Sequence, residues 1–443
     1  MQLSRARGAL RARLVAATVA LLGMAAPGPA RATDADTSTL YYTEPGRVTA
    51  WETRGEFRTE LPNDQVLRLH VAFDALTGAS PIGVPASRLS QTFTRYQTTT
   101  GASGGGSTTT SSNLVVGPGQ TPIDPTFHDK RFEGGGDIEW PIDDLTKGTV
   151  GATASFEHDY ISFGAHGNFS RDFFQKNTTL ALGLSGSLDD VRPVGGAPVA
   201  LSSMPTSPPP SSGEGEGDGG GGSGKLKKVG DVLVGLTQVI NRSTLMQVNY
   251  SLSASSGYET DPYKLVAVIQ GPNAALPGDP VDYLYESRPD HRLKQAVYGE
   301  AKHAFGRHVM DVSYRYMWDD WGIRSKTWDG HWSLELNDRN SFEPQVRFYH
   351  QTAADFYVHG LVEGAPLPAY ATSDNRLGEF DAWTEALKYS YRLSAGPVLG
   401  IRLGYYVQTG NGHPADAVGS QQTVDLFPKV TAVISQVSYS FQF

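Results

Sequence analysis

Apolar side chains in this chain recur at every second position, over runs of roughly eight to twelve residues. In His308–Asp319, Met310, Val312, Tyr314, Tyr316 and Trp318 fall on one side, and Asp311, Ser313 and Arg315 on the other. In Pro397–Thr409, Leu399, Ile401, Leu403, Tyr405 and Val407 oppose Gly400, Arg402, Gly404, Tyr406 and Gln408. Val66–Phe73 sets Leu67, Leu69, Val71 and Phe73 against Arg68, His70 and Ala72, and Thr179–Leu188 and Thr244–Leu252 repeat the pattern. A strand turns successive side chains to opposite faces, so a period of two marks half-exposed strands rather than helices.

About 16 such segments are long enough to cross a bilayer at a barrel tilt: 36–44, 47–60, 65–77, 129–141, 148–159, 161–174, 178–189, 228–240, 244–257, 290–304, 308–319, 322–336, 341–354, 380–393, 397–409 and 429–443. The links between them alternate. After each even-numbered segment comes a short turn, such as Pro62-Asn63-Asp64, Gln175-Lys176-Asn177, Asn241-Arg242-Ser243 or Gly306-Arg307. The long links, 78–128, 190–227, 258–289, 355–379 and 410–428, follow odd-numbered segments only. A sandwich has no reason to gather its long loops at one end, whereas a membrane barrel with short periplasmic turns and long outer loops does. The expected fold is all-β: an up-and-down antiparallel transmembrane β-barrel of about 16 strands, with both termini in the periplasm.

The N-terminus agrees with export. Arg5, Arg7, Arg11 and Arg13 form a basic region, Leu14–Ala26 is a short apolar run, and Ala30-Arg31-Ala32 has the small-x-small form of a cleavage site. Residues 1–32 therefore read as a signal peptide, with the mature barrel, 33–443, starting at Thr33 in the outer membrane of a Gram-negative cell. The net charge of −9 becomes more negative once these five arginines leave, which argues against a nucleic-acid partner. There is no cysteine, so thiol catalysis and cysteine metal sites are excluded. Mean hydropathy is −0.32, which fits alternating strands and not membrane helices.

Residues 97–112, almost all Thr, Ser and Gly, and 205–224, with Pro208-Pro209-Pro210 and an acidic glycine run, are too polar to offset their ordering entropy and are expected to be disordered outer-loop segments. The C-terminal strand alternates down to Tyr439, Phe441 and Phe443, the pattern expected of an assembly signal for the barrel-assembly machinery. Its closure on the first strand is required, because an open edge in lipid leaves backbone groups unpaired. Trp51, Trp140, Tyr160, Phe163, Trp318, Trp321, Trp328, Tyr349 and Tyr357 lie near expected strand ends, where aromatic girdles meet the lipid headgroups.

Motifs that carry chemistry are weak. Gly219–Lys225 matches the start of a phosphate-binding loop, but Leu226 stands where Ser or Thr is needed and no strand–loop–helix surrounds it. Gly101-Ala102-Ser103-Gly104-Gly105 has nucleophile-elbow spacing in a low-complexity loop, where the strained turn does not form. Glu157-His158-Asp159 and Asp290-His291 set imidazoles beside carboxylates, yet strand neighbours point to opposite faces and cannot chelate without help from elsewhere. No catalytic residue, metal or cofactor is expected. Arg68, His70, Asp74, Asp311, Arg315, Arg347 and Arg402 fall on the polar faces and are the candidates for a hydrated lumen.

Several phrases resemble a bacterial outer-membrane family catalogued as domain of unknown function 3570. They are Phe73-Asp74-Ala75-Leu76-Thr77-Gly78-Ala79-Ser80-Pro81, Glu157-His158-Asp159-Tyr160, Arg171-Asp172-Phe173 with Lys176-Asn177-Thr178-Thr179, Asp261-Pro262-Tyr263-Lys264, Glu286-Ser287-Arg288-Pro289, Tyr314-Arg315-Tyr316 with Trp318-Asp319-Asp320-Trp321-Gly322-Ile323, and Ala353-Ala354-Asp355-Phe356-Tyr357. The resemblance implies a barrel and an outer-membrane address, and no activity. Its genomic company hints at periplasmic redox partners. The leading expectation is a non-enzymatic pore or transport channel for small solutes, gated by the 78–128 loop. The rivals are a sleeve or scaffold for a periplasmic or surface redox protein, and an outer-membrane hydrolase.

Overall fold

The computed structural model describes residues 33–78, 83–88, 90–100, 107–120, 128–193, 196–203, 224–394 and 396–442, with only the backbone described for 91–100 and 107–114. Residues 1–32, expected to be a signal peptide, nearly all of 205–224, the elbow-like Gly101–Gly105 and Phe443 lie outside the described residues.

In chain order the strands are β1 (Thr33–Thr43), β2 (Thr49–Glu60), β3 (Val66–Thr77), β4 (Gln91–Thr100), β5 (Ser107–Val116), β6 (His128–Asp143), β7 (Thr146–Phe156), β8 (Tyr160–Phe173), β9 (Thr178–Val191), β10 (Lys225–Asn241) and β11 (Thr244–Gly257). They continue with β12 (Leu265–Ile269), β13 (Pro280–Tyr285), β14 (His291–Phe305), β15 (His308–Asp319), β16 (Arg324–Glu335), β17 (Asn340–Gln351), β18 (Leu361–Val362), β19 (Phe380–Arg392), β20 (Val398–Gly410) and β21 (Val430–Gln442). All but β4, β5, β12, β13 and β18 form one closed barrel in sequence order. Its sixteen strands pair antiparallel throughout, and β21 closes on β1 with Tyr439 opposite Thr37 and Phe441 opposite Ala35. Closure leaves no ladder edge to face lipid. The up-and-down barrel read from the alternation is therefore the fold, with β1 beginning at Thr33, three residues before the expected start.

The register sorts the two faces. Leu182, Val234, Tyr250, Val297 and Tyr316 lie side by side across five strands. On this face the aliphatic side chains are exposed, as a lipid-facing belt requires. The opposite face carries rows such as Ser185, Asp231, Ser253 and Lys294. Small residues on that inner wall let longer ones lie across it: a Cβ on Gly151 would meet the His166 ring at 2.4 Å, and one on Gly135 would meet His70 at 2.7 Å.

Two expectations are corrected. The stretch 97–112 is in part ordered: β4 and β5 pair from Gln91 with Val116 to Thr100 with Ser107. Runs of Thr suit a paired strand even where no core forms, because the branched side chain favours the extended backbone. Four of the proposed girdle aromatics do not sit in a girdle. Trp321 is buried in a loop cluster with Ile323, Ala354 and Leu377, and Tyr357 packs on the same cluster. Tyr349 turns inward to bond Gln351 at 2.6 Å, and Tyr160 faces Asp189. Trp51, Phe163 and Trp328 are exposed, with the Trp328 ring tilted against Tyr314 at 4.3 Å between centroids. Tryptophan at a strand end also suits a loop core, and sequence position alone does not separate the two.

A capped and charged lumen as candidate functional site

The long loops meet over one mouth of the barrel. β12 pairs antiparallel with β13 and parallel with β18, which brings the 258–290 and 352–379 loops into one small sheet. Its apolar strand Leu265–Ile269 packs with Val84, Val116 and Tyr283. Residues of the 78–127 loop are threaded in: Gly83 N–H donates to Ser373 O at 3.0 Å, and the Tyr283 hydroxyl donates to Pro85 O at 2.9 Å. Gly83 is needed there, since a Cβ would lie 2.8 Å from Ser373 O. The 411–429 loop joins through Ser420 N–H to Pro277 O at 2.8 Å, and residues 201–203 through Leu201 N–H to Tyr285 O at 3.1 Å. The cap is thus woven from all five long loops, the 78–128 loop among them.

An ion network pins the cap. Glu286 is fully buried and holds Arg288 at 2.6 Å, and the Thr372 hydroxyl donates to its other oxygen at 2.5 Å. Arg288 reaches Asp374 at 2.9 Å. Asp374 also takes Arg376 at 2.5 Å, and Arg376 bridges to Asp261 at 2.5 Å. Burial pushes the Glu286 carboxyl up, opposed by Arg288. For Asp374 burial also acts upward, but Lys264, Arg376 and Arg288 together hold it well below the usual carboxylate range. Such a network is strong only while every member is present. Gln351 ties it to the wall, its amide donating to Arg376 O at 3.0 Å and to Gly378 O at 2.7 Å.

Below the cap lies a chamber of about 740 Å³, walled by the inner faces of β9–β11, β14, β15 and β17 and closed by Arg288, Asp374 and Arg376. A second cavity, about 900 Å³, lies at the other mouth, among Asp34, Arg58, Arg68, Asp137 and Arg392. Of the lumen candidates, Arg68 and His70 line the second cavity and Arg315 the first, while Asp74, Asp311, Arg347 and Arg402 line neither. Arg68 is held by Asp137 at 2.9 Å and Glu139 at 2.6 Å, His70 approaches Glu133 at 3.6 Å, and Asp74 takes Arg131 at 2.5 Å. Asp311 pairs with Lys302 at 3.1 Å, Arg347 lies 3.9 Å from Asp329, and Arg402 donates to Gln345. Arg315 lines the upper chamber. Arg292, Lys294 and Arg376, which also line it, were not singled out from sequence; alternation in His291–Phe305 places Arg292 and Lys294 on one face and was the available signal.

The acidic turn after β7 differs from expectation in its membership. Glu157 and Asp159 are joined by Asp129, not His158, and the three offer carboxylate oxygens within 4.8 Å of one another. Burial and Asp129 push the Glu157 carboxyl up to about 7, with Arg131, 3.9 Å away, opposing. Such a trio suits a hard cation in its donor chemistry.

Fold and lumen together define a closed β-barrel of the membrane-spanning kind with a charged interior and a structured cap. The chain belongs to the family described as protein of unknown function DUF3570, whose model matches residues 11–441. Most phrases that carry the family pattern meet at the capped mouth: Asp261, Glu286 and Arg288 in the ion network, Trp321 and Ala354 in the cluster beside it. No curated protein matches the sequence. Among solved structures, the siderophore receptor PirA from Acinetobacter baumannii aligns at 8% identity and a TM-score of 0.42, over 86% of this chain and 54% of that one. A mutant of the ferric enterobactin receptor PfeA from Pseudomonas aeruginosa aligns at 9% and 0.43, over 93% and 59%. The outer membrane protein opdK from Pseudomonas aeruginosa aligns at 9% and 0.38, over 94% and 99%. The chain spans less than two thirds of the receptors' length.

Proposed function

We propose that this protein is an outer-membrane pore through which small solutes pass, with the cap at one of its two mouths. The carrying observation is the inner wall. It is lined by charged and hydroxyl side chains at two cavities, one at each mouth, while the outer face of the same strands is apolar. A wall of that kind is hydrated, and sixteen strands enclose enough width for an aqueous path. The wall also suits passage better than a sleeve for a redox protein, because its charges are largely satisfied by one another across neighbouring strands.

Planar-bilayer recording on the purified protein tests this. Discrete conductance steps that grow when Asp374 is replaced to loosen the cap are the expected result. A barrel that inserts and never conducts, with or without the cap, overturns the pore and leaves the partner sleeve.

A further inference from the structure

The chamber under the cap holds two cations that, among the described residues, form no ion pair. Arg292 clasps the buried Asp319 at 2.5 Å, and Arg376 clasps Asp374. Lys294 and Arg315 differ: among the described residues, neither has a side-chain hydrogen bond or a carboxylate oxygen within ion-pairing distance. The carboxylates nearest in effect to Lys294 are Asp231 and Glu259. Glu259 already holds Lys227 at 2.9 Å, and Asp231 accepts from Ser185 at 3.0 Å. On the other side, the Tyr349 hydroxyl lies in the combined field of Arg315, Arg292 and Arg347.

The spacing of the two free cations is set by register. Lys294 stands opposite Asp319 and Arg315 opposite Tyr298, with the pair Ala296–Met317 between them. Four residues of strand separate the two levels, about 13 Å, and both side chains line the one chamber. The floor between is apolar, Met317 and Ala296, and Leu377 of the cap closes over the same space.

We propose that this chamber is a binding station for small organic carboxylates, with Arg315 and Lys294 holding the carboxylate and Met317 and Leu377 packing the apolar body. The inference rests on the reading of the lumen as a solute path, and it names the class of solute. A guanidinium takes a carboxylate through two parallel N–H donors, so Arg315 fixes orientation, whereas the lysine adds a point charge. An inorganic anion would use the cations and leave the apolar floor unused.

Calorimetry on the purified wild-type barrel, with benzoate as probe and benzylammonium as the charge-reversed control, tests the proposal. Benzoate is expected to bind and benzylammonium to show no heat. Lys294→Gln should weaken benzoate about tenfold, the loss of one charge-assisted hydrogen bond, Arg315→Gln by about tenfold or more, since two donors go, and Arg315→Lys should lose less than Arg315→Gln. Equal binding of the two probes, no binding of benzoate, or unchanged affinity in both Gln variants overturns it. The probe comparison uses the wild type alone, so it stands if a variant fails to assemble. Conductance without benzoate binding removes the station and keeps the pore; benzoate binding without conductance does the reverse.

Discussion

Arg288 of one outer loop donates to the buried carboxylate of Asp374 in another at 2.9 Å, across 86 residues of chain. Because Asp374 also takes Arg376, and Arg288 also takes Glu286, the contact is the middle of a chain of charges and not an isolated pair. It joins the 258–290 loop to the 352–379 loop at the level where the cap closes the upper chamber.

Asp374→Asn should therefore loosen the cap and spare the barrel. Removing one member of a buried ion pair costs about 3–5 kcal/mol, since the partner stays buried without its counter-charge. Hydrogen exchange should accelerate in β12, β13 and 352–379, with the strands from β1 to β21 that form the barrel unchanged. Uniform protection in the cap of the variant would show that the network carries little of its stability.

The acidic turn predicts a pH dependence. Glu157 titrates at about 7 in the folded protein against 4.5 ordinarily. Between those values the folded state keeps a proton that the unfolded chain releases. Stability contributed by this group is complete below 4.5, falls as the pH rises through about 7, and is level above it. Glu157→Gln should remove that slope and raise the melting temperature at pH 8 relative to the wild type. Parallel wild-type and variant profiles from pH 5 to 8 would place the dependence elsewhere.

These two sites also mark where the sequence stops being readable. The barrel was legible because lipid outside and water inside impose a period of two on each strand, as in Leu399, Ile401 and Leu403 against Arg402. The short turns were legible too: Asn63 and Asp64 adopt positive φ in the β2–β3 turn, as does Gly306 in the β14–β15 turn. The cap was not. Leu265–Ile269 is buried on nearly all sides and has no alternation to read, and Arg288 finds Asp374 only through tertiary structure. Asp129 joins Glu157 and Asp159 for the same reason: β6 pairs with β7, which sets its start beside the β7–β8 turn, and spacing along the chain carries no trace of it.

Closure of β21 on β1 predicts a dependence of assembly on the terminal aromatics. Tyr439 and Phe441 occupy the closing ladder, opposite Thr37 and Ala35, and Phe443 continues their alternation. Replacing all three by Ala should lower the amount of heat-modifiable, folded protein in the membrane fraction while export continues. An unchanged folded band would mean that closure proceeds without them.

The strictest test of inside and outside pairs two neighbours on one strand. Leu403 is 59% exposed on the face that carries Ile401 and Tyr405, whereas Arg402 points the other way and donates to Gln345 across β19. Leu403→Arg puts a charge into the lipid belt near the middle of β20, at about 2–4 kcal/mol if it lies at the midplane, and should impair insertion. Arg402→Glu exchanges one polar wall group for another and should assemble. It removes a donor from Gln345 and reverses a charge on the inner wall, so in the proposed pore ion selectivity should move toward cations in reversal-potential measurements. The two outcomes are coupled, because a shift of one residue would send both side chains to the opposite faces. If Arg402→Glu failed to assemble while Leu403→Arg inserted normally, the whole inner wall, Arg315 and Lys294 included, would have to be reassigned to the lipid.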